Sequence, residues 1–117
     1  IVASGSGAVL LPGLLASLTA IPGIGVPIRL DKSLDGVDSI YSTLQMPEGV
    51  PVGTMALNGA RNAALFAMQI LSMSHGSYYD LVMGYKNKLK GDAERKANKL
   101  QQDGYEAVYD RLLEQQK

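Results

Sequence analysis

The first thirteen residues constrain the fold of this chain most strongly. They are Ile-Val-Ala-Ser-Gly-Ser-Gly-Ala-Val-Leu-Leu-Pro-Gly. The apolar residues at 1–3 are typical of a buried parallel strand, which is covered on both faces. Gly5 and Gly7 permit positive φ and close approach of a ligand, and Pro12 suits the first turn of a helix. The backbone N–H groups of such a strand-turn-helix unit attract anions, so the turn predicts a phosphate site. Because the chain opens inside a strand, we expect it to begin partway through a domain.

Helical periodicity predicts three helices in the first part of the chain, over residues 11–20, 37–44 and 60–73. Each helix gathers apolar side chains on one face, which we expect to be buried. The residues expected to face the core are Leu11, Leu14, Leu15 and Leu18 in the first helix; Val37, Ile40 and Leu44 in the second; and Ala60, Ala63, Ala64, Ala67, Met68 and Leu71 in the third. Asp35 precedes the second helix and is a suitable N-cap.

Short apolar runs between these helices predict strands over 24–28 and 50–57. Pro27 has no N–H to donate, so it belongs at the end of its strand or on an edge. Asn58 and Gly59 are expected to form a turn or an N-cap. Strands that alternate with helices imply a parallel sheet joined by right-handed crossovers. The predicted fold class is therefore α/β, in a partial domain that covers residues 1–73.

The last third of the sequence is helical and strongly charged. Two helices are predicted, over 78–90 and 92–116, with interruptions at Gly91 and Gly104. An apolar stripe runs along the second of them, formed by Tyr105, Val108, Tyr109, Leu112 and Leu113. Since such a stripe must be covered, residues 74–117 are expected to form a helical extension that packs on the body or on a neighbouring subunit.

Composition narrows the classes of partner. The 11 basic and 11 acidic residues balance, so no global field attracts nucleic acid. The basic run over 86–99 is interleaved with Asp92 and Glu94 and is interpreted as a solvated helix face. Prolines and glycines interrupt the apolar runs, so no membrane span is predicted. The absence of cysteine is compatible with a reducing, cytoplasmic location. The single histidine, His75, is interpreted as a surface or helix-capping residue, and no metal site is predicted.

One long run resembles a known enzyme family. The run over residues 34–54 is Leu-Asp-Gly-Val-Asp-Ser-Ile-Tyr-Ser-Thr-Leu-Gln-Met-Pro-Glu-Gly-Val-Pro-Val-Gly-Thr. It is similar to the corresponding stretch of the N5-carboxyaminoimidazole ribonucleotide mutases, the bacterial-type phosphoribosylaminoimidazole carboxylase catalytic subunits of purine biosynthesis. Flanking stretches agree, with Ile-Gly-Val-Pro at 24–27, Asn-Ala-Ala-Leu at 62–65 and Gln-Ile-Leu at 69–71. The resemblance covers residues 1–72.

The resemblance implies a flavodoxin-like three-layer α/β/α fold assembled as a homo-octamer. The implied reaction shifts a carboxylate from the exocyclic nitrogen to the ring carbon of an imidazole ribonucleotide. Carbon dioxide is held briefly in a dry pocket beside a proton-shuttling histidine, and no metal or organic cofactor is needed. In the family, a Gly-Ser-x-Ser-Asp loop binds the phosphate, and a Ser-Ala-His-Arg-Thr-Pro segment carries that histidine. Neither segment occurs in this sequence, which starts at what would be the family's third strand. The chain alone is therefore expected to be inactive.

Site residues carry over from the family only in part. The family's third loop is Gly-Ala-Gly-Gly-Ala-Ala-His-Leu-Pro-Gly, and Leu10 stands here where that histidine is expected. Leucine neither donates a hydrogen bond nor carries charge, so one polar contact to the nucleotide is lost. The resemblance assigns pocket positions to Ser4, Gly5, Ser6, Gly7, Leu10, Leu11 and Pro12, and an approach to a neighbouring site to Gln45, Met46 and Pro47. It transfers no catalytic role to any residue of the chain.

Three functional hypotheses follow from these patterns. In the first hypothesis, the chain is part of a mutase-type enzyme whose other segments lie outside it. In the second, it is a non-catalytic relative, and Leu10 in place of the family histidine is the sign of lost activity. In the third, it is an oligomer scaffold whose helical tail binds a partner. Fold resemblance alone does not decide among them. The pattern also leaves open whether the substrate is the N-carboxylated nucleotide of a mutase or the bare aminoimidazole ribonucleotide plus carbon dioxide of a carboxylase.

Overall fold

The computed structural model of the chain describes residues 1–30 and 34–114. Within these ranges the elements are, in order, β1 (Val2–Gly5), α1 (Leu10–Leu18), β2 (Gly23–Pro27), α2 (Val37–Leu44), β3 (Val52–Thr54), α3 (Ala60–Ser72), α4 (Gly76–Asp103) and α5 (Tyr105–Glu114). The chain divides into two compact units, Ile1–Tyr78 and Tyr79–Lys117. The three strands belong to the first unit.

The strands form one parallel sheet in the order β1-β2-β3. Val2 is paired with Ile24, and Gly23 is paired with Val52, so β2 is the central strand. Pro27 is the last residue of β2, as predicted for a residue that cannot donate to the ladder. The α/β class and the parallel sheet predicted from the alternation of strands and helices are confirmed.

Helices cover both faces of this sheet. On one face, Ile24 and Val26 are buried with Ala63 of α3 and form the core. On the other face, a Cβ added to Gly25 would meet Thr43 of α2, and α1 packs beside α2 there. Because successive residues of a strand point to opposite faces, α3 lies on one side of the sheet and α1 with α2 on the other. The first unit is thus a three-layer, flavodoxin-like α/β arrangement.

Helix α1 turns its smaller residues, rather than its leucines, toward the sheet. Pro12 is buried and Leu15 is half-buried. The other residues predicted to face the core are exposed: Leu11, Leu14 and Leu18. Both sides of α1 satisfy the helical period, so periodicity alone does not select the buried side. Pro12 lets the helix approach closely over Gly25, which has no side chain in the way.

Helix α2 has the predicted bounds but buries the opposite face. Ser39 and Thr43 are fully buried, at 0% exposure each. Val37 and Leu44, predicted to face inward, are exposed, and Ile40 is half-buried. The buried hydroxyls are satisfied, since Thr43 Oγ1 donates to the Ser39 carbonyl oxygen at 2.7 Å. A hydroxyl that keeps a hydrogen bond is buried at little cost in free energy. The buried face of α2 therefore does not need to be apolar.

The prediction that Asp35 caps α2 is wrong. Gly36 occupies the N-cap position with φ 83°, and no side chain caps the helix. Asp35 itself has φ 53° and forms an ion pair with Arg29 at 2.8 Å. The backbone therefore turns through two residues of positive φ before the helix, and the Asp35 carboxylate is engaged across the loop instead.

Strand β1 is less covered than its sequence predicts. Ala3 is buried, whereas Ile1 and Val2 are exposed, because β1 lies at the edge of the described sheet. Strand β3 is also shorter than the predicted 50–57, although the Met55 N–H still donates to the Gly25 carbonyl oxygen at 2.9 Å.

The bounds of α3 agree closely with the prediction, whereas its predicted core face is only partly buried. It ends at Ser72, one residue early, and Gly59 occupies its N-cap position after the turn at Asn58, whose φ is 58°. Along the face predicted to be buried, Ala63 is buried and Ala67 and Met68 are half-buried. The remaining residues of that predicted face are exposed: Ala60, Ala64 and Leu71.

In the second unit, α4 continues through Gly91, where an interruption was predicted. A single glycine costs a helix only about 1 kcal/mol relative to alanine, so the flanking helix formers are sufficient. The predicted interruption at Gly104 is present, with φ 78°. Of the predicted apolar stripe, Tyr105, Tyr109 and Leu113 are exposed. The side chains of Val108 and Leu112, and residues 115–117, lie outside the described part of the chain.

The charged face of α4 is solvated, as predicted. Lys90 pairs with Glu94 at 3.8 Å one turn away, and Arg95 pairs with Asp92. Such exposed pairs contribute little to stability. Among the described helices, none combines the length and apolar character that a membrane crossing requires.

Candidate functional site

Two serines of α2 hold the segment from the end of β1 to the start of α1, residues 4–9, which we call the glycine-rich loop. The Gly7 N–H donates to Ser39 Oγ at 2.8 Å, and the Val9 N–H donates to Ser42 Oγ at 3.1 Å. Ser42 Oγ in turn donates to the Gly7 carbonyl oxygen at 2.8 Å. The conformation of the loop is therefore fixed by side chains more than 30 residues away.

The Ser39 hydroxyl also extends the sheet beyond its last backbone hydrogen bond. The Ile28 N–H donates to the Gly5 carbonyl oxygen at 2.7 Å. One step further, Ser39 Oγ accepts from Gly7 and donates to the Ile28 carbonyl oxygen at 3.0 Å. A single side chain thus bridges the carboxyl ends of β1 and β2, the edge at which open α/β sheets bind ligands.

Two glycines of the loop are required by its geometry. Gly7 has φ 63°, a conformation that other residues adopt at a cost. A Cβ on Gly5 would lie 2.7 Å from Val9 Cγ1, because the buried Val9 side chain folds back over the end of β1. These positions of the glycine-rich turn therefore have a structural reason independent of any ligand.

A cavity of about 550 Å³ opens beside this loop. Its lining residues come from the end of the loop, from α1, from α2 and from the segment after α2. They are Ala8, Val9, Leu10, Gly13, Leu14, Ser17, Ser42, Gln45, Met46, Pro47 and Val50. The lining is largely apolar with a few polar groups, and the volume is in the range of small-molecule sites. This cavity is the candidate site.

Four of the predicted site residues meet in this cavity: Leu10, Gln45, Met46 and Pro47. Met46 packs so closely on α1 that a Cβ on Gly13 would lie 2.9 Å from its sulfur. The other predicted residues do not line it, and they are Ser4, Gly5, Ser6, Gly7, Leu11 and Pro12. Pro12 is buried against the sheet, while Ser4 and Leu11 are exposed. The structure thus joins the segment after α2 to the end of the loop within one subunit.

The sequence pattern does not single out three polar residues of this region. Ser39 and Ser42 hold the loop, and Asp38 lies beside it with a buried Oδ1 that has no hydrogen-bond partner among the described residues. The signal was present, since these residues occupy neighbouring positions on one side of a short helix. Helical periodicity does not reveal this polar side, because it assigns the apolar side of α2 to the core.

The remaining candidates lie elsewhere. A second, mostly apolar cavity of about 540 Å³ adjoins Gly23 at the start of β2 and has Phe66 and Ile70 in its wall, and no predicted site residue lines it. His75 is exposed, lines neither cavity, and has Nδ1 3.0 Å from Ser74 Oγ. Within the described ranges, no three His, Cys, Asp or Glu side chains are arranged to hold a metal ion.

Similarity to known proteins identifies the family of this chain. A family model described as AIR carboxylase matches residues 1–92. The chain belongs to the AIR carboxylase family. This confirms the resemblance carried by the run over residues 34–54 and extends it into α4.

Curated members of the AIR carboxylase family are similar to most of the chain. The N5-carboxyaminoimidazole ribonucleotide mutase of Pyrococcus horikoshii is 44% identical over 106 residues, which cover 91% of this chain and 59% of that protein. The mutase of Thermotoga maritima is 44% identical over 105 residues, or 90% of this chain and 61% of that protein. The phosphoribosylaminoimidazole carboxylase of Saccharomyces cerevisiae is 45% identical over 107 residues, or 92% of this chain and 19% of that protein. The chain spans about three-fifths of the length of the two mutases.

Proposed function

We propose that the chain forms part of a purine-biosynthesis enzyme that moves a carboxylate from the exocyclic nitrogen to the ring carbon of an imidazole ribonucleotide. The observation that carries this proposal is the cavity of about 550 Å³ beside the glycine-rich loop. Its walls join Leu10 to Gln45, Met46 and Pro47, two stretches that are far apart in sequence and that both belong to the family resemblance.

The lining of the cavity suits chemistry that must exclude water. Leu10, Leu14, Met46 and Val50 line the cavity with apolar groups. Because Leu10 and Leu14 are exposed, the cavity would keep a reactive intermediate away from bulk solvent only once a substrate or a neighbouring subunit covers it. Carbon dioxide released from the nitrogen would stay there until it adds to the ring carbon. Gln45 adds an exposed side-chain amide, which can both donate and accept hydrogen bonds to a nucleotide.

The proton shuttle is proposed to lie outside this chain. Carboxylation at the ring carbon releases a proton, and decarboxylation at the nitrogen takes one up, so an acid–base group is needed. The single histidine, His75, lines neither cavity and is engaged with Ser74. We therefore expect the 117-residue chain by itself to be inactive.

Both substrate versions of the reaction remain proposals. The chain is 44% identical to a mutase and 45% identical to a carboxylase, so similarity favours neither. Assays of the complete protein with the N-carboxylated nucleotide, and with aminoimidazole ribonucleotide plus bicarbonate, separate the two reactions. No turnover of either nucleotide, together with no binding, would refute the enzymatic proposal. Turnover by the 117-residue chain alone would refute the external proton shuttle.

The role of the cavity is tested by a pair of histidine substitutions. Leu10→His restores the residue that the family resemblance expects, and Leu14→His places the same side chain elsewhere in the same cavity. One added hydrogen bond is worth about 1 kcal/mol, so Leu10→His should tighten the binding of aminoimidazole ribonucleotide by about fivefold. Titration calorimetry measures this. An equal change in Leu14→His would mean that position 10 has no specific contact.

A second candidate function is a non-catalytic relative that serves as an oligomer scaffold. It is favoured by Leu10 in place of a polar residue and by the exposed apolar residues of α2, which are Val37, Tyr41 and Leu44. We propose that these residues contribute to a homo-oligomer, with the octamer of the family resemblance as the expected state and the cytoplasm as the expected location. A complete protein that assembles and binds nucleotide without turnover would favour this candidate.

A further inference from the structure

One oxygen of the Asp38 carboxylate is buried without a hydrogen-bond partner in the part of the chain that the structure describes. Asp38 lies in the first turn of α2 and is half-buried. Its Oδ1 is buried and accepts no hydrogen bond from the described residues. The ion pairs of the described chain join other residues and leave Asp38 without a cation. The N-terminal turn of α2 favours a negative charge, but leaving a buried charged acceptor without a hydrogen bond costs more than leaving a neutral one.

This carboxylate bounds the space in front of the glycine-rich loop. Asp38 Oδ2 lies 4.0 Å from the position that a Cβ on Gly7 would take, and among the described residues outside 6–8 no other atom lies that close to it. Gly7 has positive φ and no side chain, so Gly7 itself does not screen Asp38 Oδ2 from a group that sits over this residue.

The loop is also a poorer phosphate site than its sequence predicts. Glycine-rich turns bind anions through free backbone N–H groups, but the N–H groups of Gly7 and Val9 are already donated to Ser39 and Ser42. A phosphate bound by these two N–H groups would have to displace the serines, and near Gly7 it would approach the negative charge of Asp38, which repels it. A hydroxyl or amino group meets neither obstacle and gains an ionised acceptor, which makes a strong hydrogen bond.

We propose that Asp38 is a specificity-determining residue, which makes the glycine-rich loop a subsite for a hydroxyl or amino group of the ligand and excludes phosphate from it. This inference rests on the proposed function, because an imidazole ribonucleotide carries both kinds of group. Its ribose hydroxyls and ring amine are donors, and its phosphate is an anion. The nucleotide then lies with its donor-bearing part against the loop and its phosphate directed away from Asp38.

The variant Asp38→Asn in the complete protein tests the inference, because the amide keeps the shape of the side chain and removes its charge. Titration calorimetry at constant ionic strength would use two probes, aminoimidazole ribonucleotide and inorganic phosphate. We expect nucleotide binding to weaken by about tenfold, as for the loss of a hydrogen bond to a charged group. We also expect one additional phosphate to bind per chain, and the thermal midpoint of the ligand-free protein not to fall. Asp35→Asn, which removes an exposed carboxylate nearby, should change neither affinity.

A purely structural role for Asp38 gives a different pattern. Ser39→Ala provides the comparison, because it breaks one hydrogen bond to the loop and one to Ile28 after β2 and should lower the thermal midpoint. If Asp38→Asn lowers the midpoint in the same way, or leaves both affinities at the wild-type values, the inference is overturned. If the wild-type protein binds no nucleotide while Asp38→Asn takes up phosphate, the proposed function is refuted and the exclusion of phosphate by Asp38 stands.

Discussion

At Gly25, the absence of a side chain sets the distance between the sheet and α2. A Cβ there would run into Thr43 Cγ2 and lie 3.1 Å from Val52 Cγ1. Thr43 is fully buried, and its carbonyl oxygen accepts a hydrogen bond from Thr54 Oγ1 at 3.1 Å. The helix therefore cannot move outward to make room without losing that contact with β3.

Gly25→Ala is accordingly expected to destabilise the fold by about 1–3 kcal/mol, the usual cost of overpacking a core. Urea unfolding of the complete protein measures this free energy. Gly23→Ala in the same strand is the matched control, because the nearest atom to a Cβ there is 3.7 Å away. Adding Thr43→Ser to Gly25→Ala removes the obstructing methyl group and should recover most of the loss. Equal losses in Gly23→Ala and Gly25→Ala would show that the clash is not the cause.

At the scale of single residues, the sequence predicts local features and misses non-local ones. The place of Pro27 and the turn at Asn58 follow from backbone rules that act within a few residues, and both are confirmed. The partners of Gly7 could not be predicted, because Ser39 is 32 residues away in sequence. Asp35 was expected to cap α2 from its position alone, but its ion pair with Arg29 depends on how the loop turns.

At the scale of elements, the helical period fixes that a helix forms but not which side it buries. The bounds of α2 are predicted correctly, whereas its buried face is not. Hydropathy selects the apolar side for the core, yet Ser39 and Thr43 are buried because backbone and side-chain partners satisfy their hydroxyls. The candidate cavity shows the same limit. The family run places residues 45–47 near a neighbouring site, whereas the structure has them beside Leu10 in the same subunit, together with Ser42 of α2, which only the packing reveals.

The two glycines of the helical tail allow opposite predictions. Gly91 lies inside α4 with only Arg95 near its Cβ position, at 3.6 Å, so Gly91→Ala should stabilise the helix by about 1 kcal/mol. Gly104 has φ 78°, where alanine is strained, so Gly104→Ala should cost about 1–2 kcal/mol. Thermal unfolding followed by circular dichroism measures both. A loss of stability in Gly91→Ala would indicate that the helix is broken at that residue in solution.

At the scale of the whole molecule, α2 is one of the described helices that leave apolar residues exposed. Val37, Tyr41 and Leu44 follow a helical spacing, and each is more than 45% exposed. A stripe of this kind on a soluble surface usually marks an interaction site. Its other side holds the glycine-rich loop through Ser39 and Ser42, so a contact between subunits on α2 would also support the candidate site.

Tyr41→Lys is therefore expected to reduce the subunit number of the complete protein and to weaken nucleotide binding as well. A lysine here places a charge in the proposed contact, and losing the contact removes support from the helix that holds the loop. Native mass spectrometry measures the assembly and titration calorimetry measures the binding. Met73→Lys is the control, since Met73 is 87% exposed at the end of α3 and should alter neither. If Tyr41→Lys dissociates the protein but leaves nucleotide binding unchanged, assembly is independent of the site and α2 has a scaffold role. If the wild-type protein is monomeric at all concentrations, the proposal that α2 joins subunits is refuted.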